Sequence, residues 1–154
     1  MTDETQPDSK TENEKNTVPF ISKSDWFLQK LVQFANDYGF EFGVTLQVGG
    51  MLVTGTVISG AKYFDEFSDS FTGGLDERLE LNETFQKLFT SYKSIYDVPP
   101  EESANVPPPE YVHIRNARFF QPGQRGMPEA NKGVLWRGRL REVGGFNLGS
   151  FSEG

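Results

Sequence analysis

Residues 40–59 read FEFGVTLQVGGMLVTGTVIS, and this stretch decides the fold. Phe40, Phe42, Val44, Leu46 and Val48 alternate with Glu41, Gly43, Thr45 and Gln47, the period-two pattern of a strand with one buried face. Gly49-Gly50 then supplies a two-residue turn in which positive φ carries no steric penalty. The returning segment MLVTGTVIS pairs Val48 with Met51, Leu46 with Val53, Val44 with Gly55 and Phe42 with Val57. All of these pairs fall on one face, so register and burial agree. Gly55, in the middle of that face, leaves room for the sheet to bend.

Working outward toward the N-terminus, SDWFLQKLVQFANDY at 24–38 places Trp26, Phe27, Leu31, Phe34, Ala35 and Tyr38 at three- and four-residue spacing, an amphipathic helix. Ser22 or Ser24 is expected to cap its start, and Gly39 suits a left-handed C-terminal position. Residues 1–19 nearly lack apolar side chains, so ordering them would cost backbone entropy without compensating burial. A disordered acidic tail is expected there, with a single α+β domain over 20–151. The tail has no apolar core of the kind a signal peptide needs, and no apolar run reaches the roughly 20 residues that span a bilayer. The chain has no cysteine, which excludes disulfides and thiolate metal sites and fits a cytoplasmic location.

Toward the C-terminus, residues 61–96 turn helical. Phe64, Phe67 and Phe71 lie on one helix that stops at Gly73-Gly74, and Leu75 to Ile95 form a second with an acidic outer face. DVPPEESANVPPPE at 97–110 is expected to be a stiff, extended surface loop. YVHIRNARFF (111–120) and VLWRGRLREV (134–143) read as strands. Gly144-Gly145 then suggests a further hairpin closing with FNLGSF. The fold class is therefore α+β: a small, strongly bent antiparallel sheet with an N-terminal helix and a helical insertion between hairpins.

The net charge of −7 is unevenly spread: −3 over residues 1–19, −8 over 20–110 and +4 over 111–154. Overall acidity opposes general nucleic-acid binding, whereas the basic C-terminal third can present a local anion-binding face. Arg137, Arg139 and Arg141 alternate, which on a continuous strand places all three on one face, and Arg115 lies on a strand that can pair nearby. These four form the candidate binding face. A merely solvated outer face is the plain alternative, but three like charges side by side repel and gain when a partner neutralises them. Trp136, on the opposite face, is expected in the core.

Catalysis finds little support. His113 is the only histidine and sits mid-strand, there is no G-x-S-x-G elbow, and the pairs Asp65-Glu66, Asp76-Glu77 and Glu101-Glu102 fall on helix surfaces or in a loop. The paired glycines read as turns rather than phosphate cradles, because at least two pairs join strand to strand. A multi-histidine metal site is excluded, no calcium-loop pattern is present and no cofactor is expected.

The closing segment VLWRGRLREVGGFNLG, the hairpin FGVTLQVGGMLVTGTVISGAKYFDEF and the strand VHIRNARFF resemble, in order and spacing, the gas-vesicle accessory protein U family over roughly residues 26–151. That resemblance implies a non-enzymatic accessory protein that binds gas vesicles or their components; the opposite charge of the two halves and the exposed edges of a small sheet add the expectation of self-association, as a homo-oligomer, that promotes vesicle clustering. It implies no catalytic residues. The order of helix, bent hairpin with Gly55, Asn116-Ala117 strand and Trp136-Arg137-Gly138 strand is also similar to Sm-like small barrels. That likeness implies a partial barrel and, as the rival function, an RNA-binding oligomer using the arginine strand. Net acidity stands against RNA.

Overall fold

In the computed structural model, residues 24–76, 80–129 and 132–151 are described. The expected tail at 1–19 lies outside them. Helix α1 runs Trp26–Tyr38 and turns Leu28, Val32 and Ala35 into the core. Asp25, rather than Ser24, is its cap, and Ser22 lies outside the described residues: the Asp25 carboxylate accepts from the backbone N–H groups of Phe27 (2.8 Å) and Leu28 (3.3 Å). A carboxylate at this position also meets the positive end of the helix dipole. Gly39 closes the helix at φ 70°. Asp25→Ala is expected to cost about 1 kcal/mol of stability, measured by urea unfolding, with Asp25→Ser nearly neutral.

Strands β1 (Phe42–Val48) and β2 (Met51–Ile58) form the expected hairpin, and the pairing is the one read from the sequence. Helices α2 (Gly60–Gly73) and α3 (Leu81–Lys93) make the insertion. They meet through phenylalanine edges: Phe71 lies 5.1 Å from Phe85 and 5.3 Å from Phe89, and Phe67 lies 5.2 Å from Phe89, ring centroid to centroid. Edge-to-face geometry is the favoured one for aromatic quadrupoles. The proline segment is not simply extended. It contains a 3₁₀ turn at Pro100–Asn105 and folds back on α1, where Gln29 Nε2 donates to the Pro109 carbonyl at 3.1 Å.

Strand β3 (Tyr111–Phe120) pairs with both β2 and β4 (Val134–Arg139). Thr54 faces Arg118 and Thr56 faces Arg115, so β3 carries one extra residue here. Asn116 takes it up at φ 55°. Because the bulge shifts the alternation, Ile114 and Ala117 both reach the core.

The end of the chain differs from the expected hairpin. After Arg139 a 3₁₀ turn, Leu140–Glu142, leads into β5 (Val143–Leu148), which pairs with β1 at the far side of the sheet. The strand order is β4-β3-β2-β1-β5. Gly144-Gly145 is not a turn. Gln47 faces Gly145 and Val48 faces Val143, so Gly144 is a bulge residue within β5.

In a flat five-stranded sheet the edge strands would lie about 19 Å apart. A three-residue 3₁₀ turn advances only about 6 Å. The sheet must therefore curl until β4 and β5 approach, yet among the described residues they do not pair, and the sheet stays open rather than closing into a barrel. α1 fills the concave side over Val44, Leu46, Val53, Val57, Val112 and Ile114, with Trp136 packed at the margin as expected.

Candidate functional site

The four arginines do not form one face. Arg115 is neutralised. Its guanidinium grips Glu66 of α2 (Nε to Oε1 2.8 Å, Nη2 to Oε1 2.7 Å) and Glu41 (Nη1 to Oε2 2.9 Å), while Lys62 reaches the other Glu41 oxygen at 2.6 Å. The Lys62 hydrogen bond, opposed by partial burial and supported by Arg115, lowers the Glu41 pKa; the Glu66 hydrogen bond raises that of Arg115. This network ties β1, α2 and β3 together. Arg141 lies in the 3₁₀ turn rather than on β4 and sits 3.7 Å from Glu142, because the strand ends at Arg139.

Arg137 and Arg139 remain on one face of β4, opposite His113 and Tyr111 respectively. Neither has an ion-pair partner among the described residues. Arg137 is held in place without being neutralised. Its guanidinium carbon lies 3.7 Å from the Tyr111 ring centroid, its Nε–H donates to His113 Nε2 at 3.2 Å, and Nη2 reaches the Tyr96 hydroxyl at 3.5 Å. Stacking on tyrosine and a neutral imidazole acceptor fix a guanidinium while leaving its charge available.

His113 makes this possible by being buried. Its side chain is 0% exposed and packs against Tyr63 at 4.6 Å and Tyr96 at 5.2 Å between centroids. Burial, reinforced by the adjacent Arg137 charge, pushes its pKa down to about 3. The imidazole is therefore neutral near pH 7, and the hydrogen bond it accepts at Nε2 places its proton on Nδ1. It packs within an aromatic cluster on the face of the sheet opposite α1.

Of the acidic pairs, Asp65 holds Lys93 at 2.9 Å and Glu66 holds Arg115, while Glu101-Glu102 lies in the 3₁₀ turn of the proline segment. Glu77 lies outside the described residues. Among the described residues no group of three or more metal-ligating side chains converges, and no helix is long and apolar enough to cross a membrane.

Sequence reasoning passed over two features. One is a cleft of about 460 Å³ beside Arg137, bounded by α1, the end of α3 and the proline segment, with Ile95, Val106, Pro107, Asp37 and Glu110 among its lining residues. Prolines at 107–109 read as a linker, but only the fold could show them facing an arginine. The other is an aromatic strip. Phe27, Phe34 and Tyr38 lie on the flank of α1 next to its core face, and Trp26, at its start, is 72% exposed. Phe27 meets Phe146 of β5 at 5.7 Å, and Leu148, two residues farther along the same strand face, is 67% exposed. Helical periodicity found these α1 positions as part of an amphipathic helix but could not show that they stay exposed.

A sequence profile for a family described as Gas vesicle protein GvpU-like matches residues 25–151. No match was found among curated proteins or among solved structures.

Proposed function

The chain belongs to the Gas vesicle protein GvpU-like family, and from that premise we propose that it is a non-enzymatic accessory protein that docks on gas-vesicle components and draws vesicles together by self-association. The observation that carries this reading is the aromatic strip. Scattered apolar side chains on a surface need no explanation, but Phe27, Phe34, Tyr38, Phe146 and Leu148 gather along one helix flank and the adjoining edge strand. Aromatic clusters beside charged rims are typical of protein–protein interfaces. An edge strand also offers unpaired backbone groups, and among the described residues β5 has only β1 as a strand neighbour. The acidic body and basic C-terminal third supply complementary charge for association between copies.

Co-flotation with purified vesicles over a range of salt tests the docking part. The protein is expected in the floating layer, with Phe27→Ser combined with Leu148→Ser lowering the bound fraction about tenfold while the melting temperature stays within a few degrees. Recovery of all the wild-type protein in the subnatant at every salt would sink the proposal. Light scattering on the isolated protein tests self-association: a mass above that of one chain, falling in the same double variant, is expected.

A further inference from the structure

We infer that the cleft beside β4 is a binding site for the side-chain carboxylates of an extended acidic–apolar peptide, with Arg137 as its anchor and Arg139 as its second cation. Three observations carry this. First, Arg137 is positioned by Tyr111, Tyr96 and His113, none of which is an anion, so its charge is oriented but not consumed. An isolated guanidinium on an outer strand face would gain more from a carboxylate than from tyrosine stacking. Here the carboxylates nearest in sequence sit beside other cations, Glu142 by Arg141 and Glu129 by Lys132, while Glu66 and Glu41 on the neighbouring elements both go to Arg115. Second, much of the lining is apolar: Pro107 and Pro108 of the proline segment, with Val98 and Ile95, itself 64% exposed. Proline fixes this wall before any ligand arrives, which lowers the entropy cost of binding. Third, Arg139, outside the cleft's lining, follows at the next same-face position of β4, roughly 7 Å along the strand, the spacing of alternate residues in an extended peptide that runs out of the cleft.

The same cleft argues against a polyphosphate. Asp37 and Glu110 belong to its lining and would repel a continuous line of phosphates, whereas a peptide can offer them backbone N–H groups. The two arginines of this site, on a chain of net charge −7, also release too few counterions to hold RNA at moderate salt.

The site lies on the flank of α1 that carries Gln33, Asn36 and Asp37, about half a helical turn from Phe34 and Tyr38, so it is separate from the aromatic strip. It goes beyond the docking reading, and its assay needs no vesicles, so either can fail without the other. His113 is a positioning residue here, acting only through Arg137.

The test is fluorescence anisotropy of the full chain with a labelled, N-acetylated, C-amidated peptide alternating leucine and glutamate, against its leucine–glutamine counterpart and a single-stranded RNA decamer. Saturable binding of the glutamate peptide is expected, at least tenfold tighter than the glutamine peptide. Arg137→Gln is expected to weaken it at least tenfold and Arg139→Gln by less, with unchanged melting temperatures. Phe34→Ser, on the aromatic strip, should leave it unchanged. Equal affinity for the glutamate and glutamine peptides would overturn the inference, as would RNA binding more tightly than the peptide or undiminished peptide binding by Arg137→Gln.

Discussion

Gly55→Ala is expected to lower the unfolding free energy by about 3 kcal/mol, and Gly55→Val to prevent folding at ordinary temperatures. A Cβ at this position would stand 2.5 Å from Ile114 Cγ2, 2.8 Å from the Arg115 carbonyl oxygen and 3.1 Å from the Asn116 carbonyl oxygen. A flexible side chain can move aside, but two of these three atoms are backbone of the neighbouring strand. They are fixed there by the bulge at Asn116, which also carries the chain on to Ala117 in the core. Strand β3 would have to pull away from β2 along the centre of the sheet, and both the curl and the Arg115 network depend on that pairing. Gly50→Ala is the matched control: a Cβ there meets nothing within 4 Å, and its φ is not positive. Urea unfolding of the two variants should differ by at least 2 kcal/mol in the stated order. Equal midpoints would show that the close approach at Gly55 is not what shapes the sheet.

Acidification is expected to remove about 2 kcal/mol of stability between pH 7 and pH 5, through His113. Its folded-state pKa is about 3, against 6.5 unperturbed. The unfolded chain therefore binds a proton in this window that the folded chain refuses. Stability is complete above about pH 6.5 and falls by about 1.4 kcal/mol for each pH unit below it, until the folded pKa is reached. His113 is the single histidine, so the interval from pH 7 to pH 5 is nearly free of other side-chain titrations. Below it, Glu41 joins in the same direction, because the Lys62 and Arg115 contacts hold its pKa down. Melting temperatures of wild type and His113→Gln across this range are the measurement. The variant is expected to be less stable at pH 7 and to have a nearly flat profile from pH 7 to pH 5. A wild-type profile as flat as the variant's would mean that His113 protonates without leaving its cluster. Acid unfolding and peptide binding are further connected: Arg137 should keep its orientation down to the pH at which His113 takes up its proton, because the imidazole must stay neutral to accept from Nε.

Much of this molecule follows from short-range pattern. Alternation at 42–57 and the Gly49-Gly50 turn fixed the hairpin and its register, since a slip by one residue would turn every valine of that face to water. Three- and four-residue spacing located α1 and α2, and β3 fell where its branched and aromatic residues placed it. The resemblance of the hairpin, the Asn116 strand and the closing segment already pointed to the family. What pattern could not supply was long-range. Gly144-Gly145 looks like a turn because turns and bulges use the same residue for the same reason, its tolerance of unusual backbone. Only the return of the chain to β1, forced by the curl of the sheet, made it a bulge.

The arginines show the same division. The sequence alone determined that the C-terminal third is basic and that Arg137 and Arg139 share a face, because both are consequences of composition and a two-residue period. Which charges remain available was decided by tertiary structure. Arg115 meets Glu66 across 49 residues and Glu41 across 74, whereas among the described residues the polar and ring partners of Arg137 are Tyr111, Tyr96 and a buried histidine. A charge's partners are set by which strands and helices the fold brings within about 4 Å, and local periodicity carries no record of that distance.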